Sequence, residues 1–279
     1  MSEENAPLSP RVLKDSEFKF YQSFFYQRIG LNLPDHKKQL VAGRLGKRLV
    51  QLGLPSFQAH YDLIAGKQDG GELQIAIDLI TTNETSFFRE KDHFEYLERE
   101  ILPGYGEKHT VKVWCGASST GEEPYTLAMV LQHTLGSGRW SLVATDINSE
   151  VLATARRGLY PMARAQGIPA SFLKSFCLKG QGEYEGQFLI ERGLRAFVDF
   201  RQVNLMSIPP DLKGFDIVFL RNVLIYFDVP TKERLLAEIW EKMNPGAWLV
   251  LSHSESITGL RVPAFRTVQP SVYRKKGET

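Results

Sequence analysis

Cysteine is scarce in this chain. Only Cys115 and Cys177 occur among 279 residues, and they form no CxxC pair. A disulfide framework and a cysteine-based zinc site are therefore not expected, and no metal is. Long apolar runs are missing too. None approaches the ~18 residues that a membrane-spanning helix requires, so no membrane insertion is expected. The opening MSEENAPLSP is polar and lacks the apolar core of a signal peptide. A reducing, cytoplasmic location is the expectation. Charge of one sign is lacking as well. The net charge of +2 is too balanced for a general nucleic-acid binder. What is present is ordinary for a globular protein: 43% hydrophobic and 24% charged residues argue against disorder.

Residues 1–12 read as a flexible lead-in. Residues 13–82 carry helical signals only, and a small four-helix domain is expected there. Asp15 and Ser16 are cap candidates for its first helix, which stops at Gly30; the second starts at a proline and stops at Gly53. Residues 83–110 form a linker and a connecting helix around HFEYLEREIL. From residue 111 the pattern alternates: short apolar strands such as TVKVWC, SLVATDI and FDIVFLRN are separated by helices. This is the signature of a doubly wound parallel α/β sheet over 111–279. A glycine-punctuated stretch at about 174–197 breaks the alternation and reads as a small antiparallel β-subdomain. The closing FRTVQPSVYRKK reads as a strand pair around Gln269-Pro270.

In such a sheet, ligands bind beyond the carboxyl ends of the strands. The residues there are Cys115 to Glu123, Asp146, Asn204, and Arg221 with Asn222. Asp146 is placed to accept from ribose hydroxyls or to cap the helix that follows. The loop VWCGASSTGEEPY has only Gly116 and Gly121, and it carries Glu122 and Glu123 where a pyrophosphate would sit. A pyrophosphate needs glycines and is repelled by acids, which argues against NAD and ATP. An adenosyl cofactor with a cationic sulfonium and an amino acid tail fits better. The acids would equally favour the positive start of a helix. The stretch TTNETSFFRE is either a capped linker or a segment closing the cofactor site, and Tyr226 in FLRNVLIYF is either core or a site wall.

Taken together, TTNETSFFRE, VWCGASSTGEEPY, Asp146 in TDI, and FLRNVLIYF followed by NPGAWLVLSHSE resemble the CheR family of chemotaxis receptor protein-glutamate O-methyltransferases. The resemblance covers nearly the whole chain. It implies a Rossmann-like methyltransferase sheet after an all-α domain, S-adenosylmethionine as donor, S-adenosylhomocysteine as product, and specific receptor glutamates as substrate. It implies that Asn83, Thr85, Arg89, Glu123, Asp146, Asn204, Leu205, Arg221 and Asn222 hold the cofactor. Arg89 and Tyr226 would orient substrate or cofactor without acting as a general base. An ionised glutamate, with a reference pKa of about 4.3, needs none.

On the second helix Lys37, Arg44, Lys47 and Arg48 lie beside the apolar face of Val41, Leu45, Leu49 and Leu52. A solvated face explains them, and the resemblance implies a meeting with the acidic chemoreceptor bundle. Gly180, Gly182 and Gly186 read as hairpin turns. In some family members this small sheet adds a receptor C-terminal peptide as a strand. The alternatives are a non-catalytic adaptor that binds the same cofactor and a nucleic-acid methyltransferase.

Overall fold

The computed structural model describes residues 12–66 and 71–276, so most of the expected lead-in lies outside the described residues. The chain divides into two compact units between Thr82 and Asn83.

The first unit is helical: α1 (Asp15–Ile29), α2 (Lys38–Gln51), α3 (Phe57–Ala65) and α4 (Glu72–Ile80). Lys14 takes the N-cap of α1, not Asp15 or Ser16. Its backbone N–H donates to the Glu17 carboxylate at 2.8 Å, the reciprocal half of a capping box. Gly30 closes α1 in the left-handed conformation, at φ 70°. Val41, Leu45 and Leu49 of α2 are fully buried, as are Tyr21 and Phe25 of α1 and Phe57 of α3.

The polar face of α2 is divided. Lys37 lies not on α2 but in the 3₁₀ turn Asp35–Lys37 that leads into it, and both it and Lys47 are exposed. Arg44 donates to the carbonyls of Ile80 and Thr81 at 2.7 and 2.8 Å, satisfying the end of α4. Arg48 grips both oxygens of the buried Glu72 at 2.7–3.1 Å. Glu72 also meets His60 at 3.3 Å, and His60 meets the Tyr21 hydroxyl at 2.8 Å. The helical period placed the arginines on the surface, and only the packing of α2 on α4 supplied their partners.

The second unit is built on a seven-stranded sheet. Its strands are β1 (Val111–Gly116), β2 (Trp140–Asp146), β6 (Val198–Gln202), β7 (Phe215–Leu220), β8 (Met243–Val250), β9 (Phe265–Gln269) and β10 (Val272–Lys275). The order is β6-β2-β1-β7-β8-β10-β9. The first five in that order run parallel, while β10 lies antiparallel to β8 and to β9. The sheet is therefore mixed, because the closing hairpin joins its edge. Every residue of β7 is buried, as a strand covered on both faces requires.

The helices of this unit are α5 (Lys91–Tyr96), α6 (Glu122–Leu135), α7 (Ser149–Arg157), α8 (Ala170–Phe176), α9 (Arg192–Arg195) and α10 (Val229–Lys242). The expected connecting helix at 93–102 is α5 followed by a wider π turn, Leu97–Ile101. A second sheet has the order β3-β5-β4, from β3 (Leu159–Pro161), β4 (Cys177–Lys179) and β5 (Gln187–Ile190). It begins fifteen residues earlier than the stretch at 174–197, at Leu159. A three-residue strand is too short to show alternation, and its partner is distant in sequence. At the β4–β5 turn a Cβ on Gly180 would lie 1.9 Å from the Tyr184 carbonyl oxygen; Gly182 and Gly186 have φ of 59° and 79°.

Two outcomes test the first unit. Arg48→Ala leaves Glu72 buried beside His60 alone and should cost about 2–3 kcal/mol in urea unfolding. That is below the usual range for breaking a buried pair, because Arg48 is partly exposed. Burial pushes the His60 imidazole below its ordinary 6.5, against the opposing pull of Glu72. The unfolded chain then binds the proton more readily, so stability should fall as pH drops below 6.5 and level off once the folded imidazole is protonated. His60→Gln should flatten that dependence.

Candidate cofactor and active site

The strand order reverses between β1 and β7, where Gly116 pairs with Leu220. A Cβ at Gly116 would lie 2.9 Å from Leu220 Cδ1, so the strand ends are drawn close. Loops leaving adjacent strands here open the crevice in which doubly wound proteins bind ligands.

The loop from β1 to α6 is tightly wound. Ala117, Ser119 and Gly121 have φ of 59°, 49° and 99°. A Cβ at Gly121 would meet the Tyr160 hydroxyl at 2.7 Å, so glycine is required there. Asp146, at the end of β2, fixes the loop: its carboxylate accepts from the backbone N–H of Ser119 at 2.8 Å and of Asn148 at 2.9 Å. Asp146 holds the turn before α7 but does not cap that helix: the N-cap is Asn148, whose side chain accepts from the Val151 N–H at 3.1 Å, because the cap falls two residues beyond the strand end. Val203 N–H donates to the Asp146 carbonyl at 2.9 Å, which sets Asn204 and Leu205 beside it. The Asn204 side chain turns its own loop by accepting from Met206 N–H at 2.9 Å.

The two glutamates of the loop diverge. Glu122 is 1% exposed and faces Thr120 at 2.6 Å and Arg164 at 3.2 Å. Glu123 faces the crevice side, where it meets Arg221 and accepts from the Cys115 thiol at 3.3 Å. Arg221 follows β7 and is 3% exposed. Its guanidinium also reaches Glu90 at 2.9 Å and the Arg89 carbonyl at 2.6 Å, and it lies 5.4 Å over the Phe94 ring. Burial alone would push the Glu90 carboxyl up; Arg221 and the His253 N–H more than offset that, holding it below its usual range. Burial, then the neighbouring Glu123 charge, pushes the Cys115 thiol well above its ordinary value. It is therefore no nucleophile at neutral pH.

The segment 83–90 is pinned along its length. Ser119 Oγ donates to the Asn83 carbonyl at 2.8 Å, and Arg164 to the Thr85 carbonyl at 2.8 Å. The Phe88 N–H donates to Thr126 Oγ1 at 3.1 Å. Phe87 and Phe88 anchor it in the core, while Phe88 and Glu90 take φ of 53° and 55°. Such values are costly for residues other than glycine and hold only where the surroundings enforce them. Gly167 passes so close that a Cβ there would lie 2.1 Å from the Phe87 carbonyl oxygen. Asn83, Thr85 and Arg89 are thereby carried on a segment bound to the loops after β1 and β7. The Arg89 guanidinium donates to the Glu84 carbonyl at 3.0 Å.

Asn222 has a φ of 57°, and its N–H donates to Glu255 at 2.9 Å. Glu255 also accepts from the Leu224 N–H at 2.8 Å and the Ser252 N–H at 3.0 Å, so it shapes the loop that carries Tyr226. Tyr226 sits half-buried in a 3₁₀ turn (Leu224–Tyr226), and among the described residues no hydrogen bond joins its hydroxyl to the rest of the group. Sequence reasoning gave Glu90, Arg164 and Glu255 no role. Their only signal is an acid or base beside a motif, which spacing does not distinguish from a solvated charge.

The donor set fits a nucleoside with a cationic tail: carboxylates follow β1 and β2, Arg221 is already paired with acids, and the buried Ser118 hydroxyl has no hydrogen-bond partner among the described residues. This combination of sheet and site defines an S-adenosylmethionine-dependent methyltransferase. Residues 83–273 match the CheR methyltransferase, SAM binding domain, and residues 16–81 the CheR methyltransferase, all-alpha domain. The chain belongs to the CheR methyltransferase family. It is 39% identical over 252 residues to a chemotaxis protein methyltransferase of Escherichia coli K12, covering 89% of this chain and 87% of that one. To chemotaxis protein methyltransferase 2 of Pseudomonas aeruginosa it is 37% identical, covering 86% of each chain. To the chemotaxis protein methyltransferase of Borreliella burgdorferi it is 33% identical over 96% of each. Its cofactor is S-adenosylmethionine. No helix among the described residues is long and apolar enough to cross a membrane.

The close approach at Gly167 yields a test. Gly167→Ala should push the 83–90 segment off its seat, lowering S-adenosylhomocysteine affinity by roughly tenfold or more in calorimetry, a loss of about 1.4 kcal/mol.

Proposed function

We propose that this protein transfers the methyl group to side-chain carboxylates of specific glutamates on the helical signalling domain of chemoreceptors. The observation that carries this reading is the state of Arg221. Its charge is met by Glu90 and Glu123, so it offers no permanent ion pair to an incoming carboxylate. Such a pair would stabilise the ground state and slow the reaction.

S-adenosylmethionine supplies, when bound, an electrophilic methyl group on a cationic sulfur. Asn83, Thr85, Glu123, Asp146, Asn204, Leu205, Arg221 and Asn222 are the residues that would hold it. Arg89 and Tyr226 would orient the reacting groups. A substrate glutamate is already ionised, so the chain's part is alignment and the exclusion of water, and alignment contributes up to ~7–11 kcal/mol. Lys37 and Lys47 offer an exposed basic face to the acidic receptor bundle, with steering that weakens in salt. Arg44 and Arg48 belong to that face, but their internal partners make substitutions there report on folding too. The small sheet, with its turn glycines Gly180, Gly182 and Gly186, offers the β4 edge for strand addition by a receptor C-terminal peptide.

Methyl-labelled cofactor should transfer label to purified receptor as a base-labile ester that releases methanol. Base-stable label, label on RNA, or cofactor binding with no transfer would overturn the assignment. Arg89→Ala should lower kcat/KM by about 100-fold or more, the scale of a misplaced reacting group, and Tyr226→Phe only a few-fold. The double substitution Lys37→Glu/Lys47→Glu should raise KM for receptor and leave S-adenosylhomocysteine affinity unchanged. Equal loss of both would point to a damaged fold.

A further inference from the structure

Beside Arg221, its partner Glu90 faces two histidines that the methyl-transfer reading leaves without a role. Glu90 precedes α5, His93 sits in its first turn, and His253 follows β8. One ligand atom from each lies within 4.8 Å of the others. The two imidazole rings are 4.5 Å apart, centroid to centroid.

Each histidine has its outer nitrogen engaged: His93 Nε2 lies 2.7 Å from the Ser271 hydroxyl, and His253 Nε2 2.9 Å from the Asp92 carboxylate. The other nitrogen of each ring turns toward Glu90: His93 Nδ1 lies 3.4 Å from Glu90 Oε2, and His253 Nδ1 3.9 Å.

The His93 side chain is 1% exposed, and its Nδ1 has no hydrogen-bond partner. A buried ring nitrogen without a partner, facing a carboxylate, is an unmet polar group that a bound cation would satisfy.

We propose that Glu90, His93 and His253 bind a divalent first-row transition-metal ion, Zn²⁺ or Co²⁺ in type, through Glu90 Oε, His93 Nδ1 and His253 Nδ1. Two imidazoles and a carboxylate are a common ligand set for such ions, at about 2.0–2.2 Å for zinc. The outer contacts follow the usual pattern, in which a ligating histidine donates its second N–H to a carboxylate or hydroxyl: Asp92 serves His253 and Ser271 serves His93. The ligands must close by about 1 Å, and the half-exposed His253 supplies that movement. His253 also leaves the fourth position on the solvent side.

The site is not isolated from the crevice. Glu90 Oε2 also accepts from Arg221 Nη2 at 2.9 Å, and Arg221 holds Glu123. A metal ion drawing on Glu90 competes with Arg221 for the carboxylate, which makes metal and cofactor binding interdependent, and reciprocally so.

The test uses the untagged full chain, stripped with a chelator and titrated with Co²⁺ and with Zn²⁺. About one ion per chain is expected, with a visible Co²⁺ absorption band of low coordination number that Zn²⁺ displaces. His253→Gln changes a half-exposed side chain and should fold; it should weaken Co²⁺ binding by roughly 100-fold, and Asp92→Asn by about 10-fold. Absence of saturable binding to the wild-type chain, or binding unchanged in His253→Gln, would overturn the proposal.

Discussion

A single buried guanidinium organises the crevice. Arg221 leaves β7 at the point where the strand order reverses, and it is almost without solvent contact. A charge in that position is tolerated only when paired, and here two carboxylates, a carbonyl and an aromatic face meet it. These come from two stretches of the second unit: Glu123 lies in the first turn of α6, while Glu90, Phe94 and the Arg89 carbonyl belong to the end of the strained segment and to α5. The pairing thus welds the cofactor loop to the 83–90 segment, and it consumes the positive charge that would otherwise trap a carboxylate substrate.

The second dependence is steric. Residues 83–90 run between the cofactor loop and the outer structure, with two residues other than glycine at positive φ. Strain of that kind persists only under restraint. Thr126 and Ser119 restrain it from one side, Arg164 and Gly167 from another. Arg164 and Gly167 lie in the 3₁₀ segment between β3 and α8. The insertion that carries the small sheet therefore shapes the candidate cofactor site.

Much of this was legible in advance. Alternating strands and helices announced the doubly wound sheet, and the acids at Glu122 and Glu123 argued against a pyrophosphate. The short strand Leu159–Pro161 was not legible, since three residues carry no period and its partner is β5, across α8 and β4. Nor was the fate of Arg44 and Arg48. On a helical wheel they are a basic stripe, and only the seating of α4 turns one into a cap and the other into the partner of a buried acid.

The division between Glu122 and Glu123 shows the boundary best. Adjacent acids at a helix start are equivalent to any reading of composition or spacing. On the folded helix their side chains point about 100° apart, so one enters the small sheet's side and the other meets Arg221. The same holds for His93 and His253, which are 160 residues apart and carry no motif between them. Sequence by itself determined the class of fold, the cofactor chemistry and the family, because those rest on local patterns and residue types at strand ends. Which charges meet, which ring nitrogens converge and which backbone is held under strain depended on long-range packing, where partners are set by distance in space.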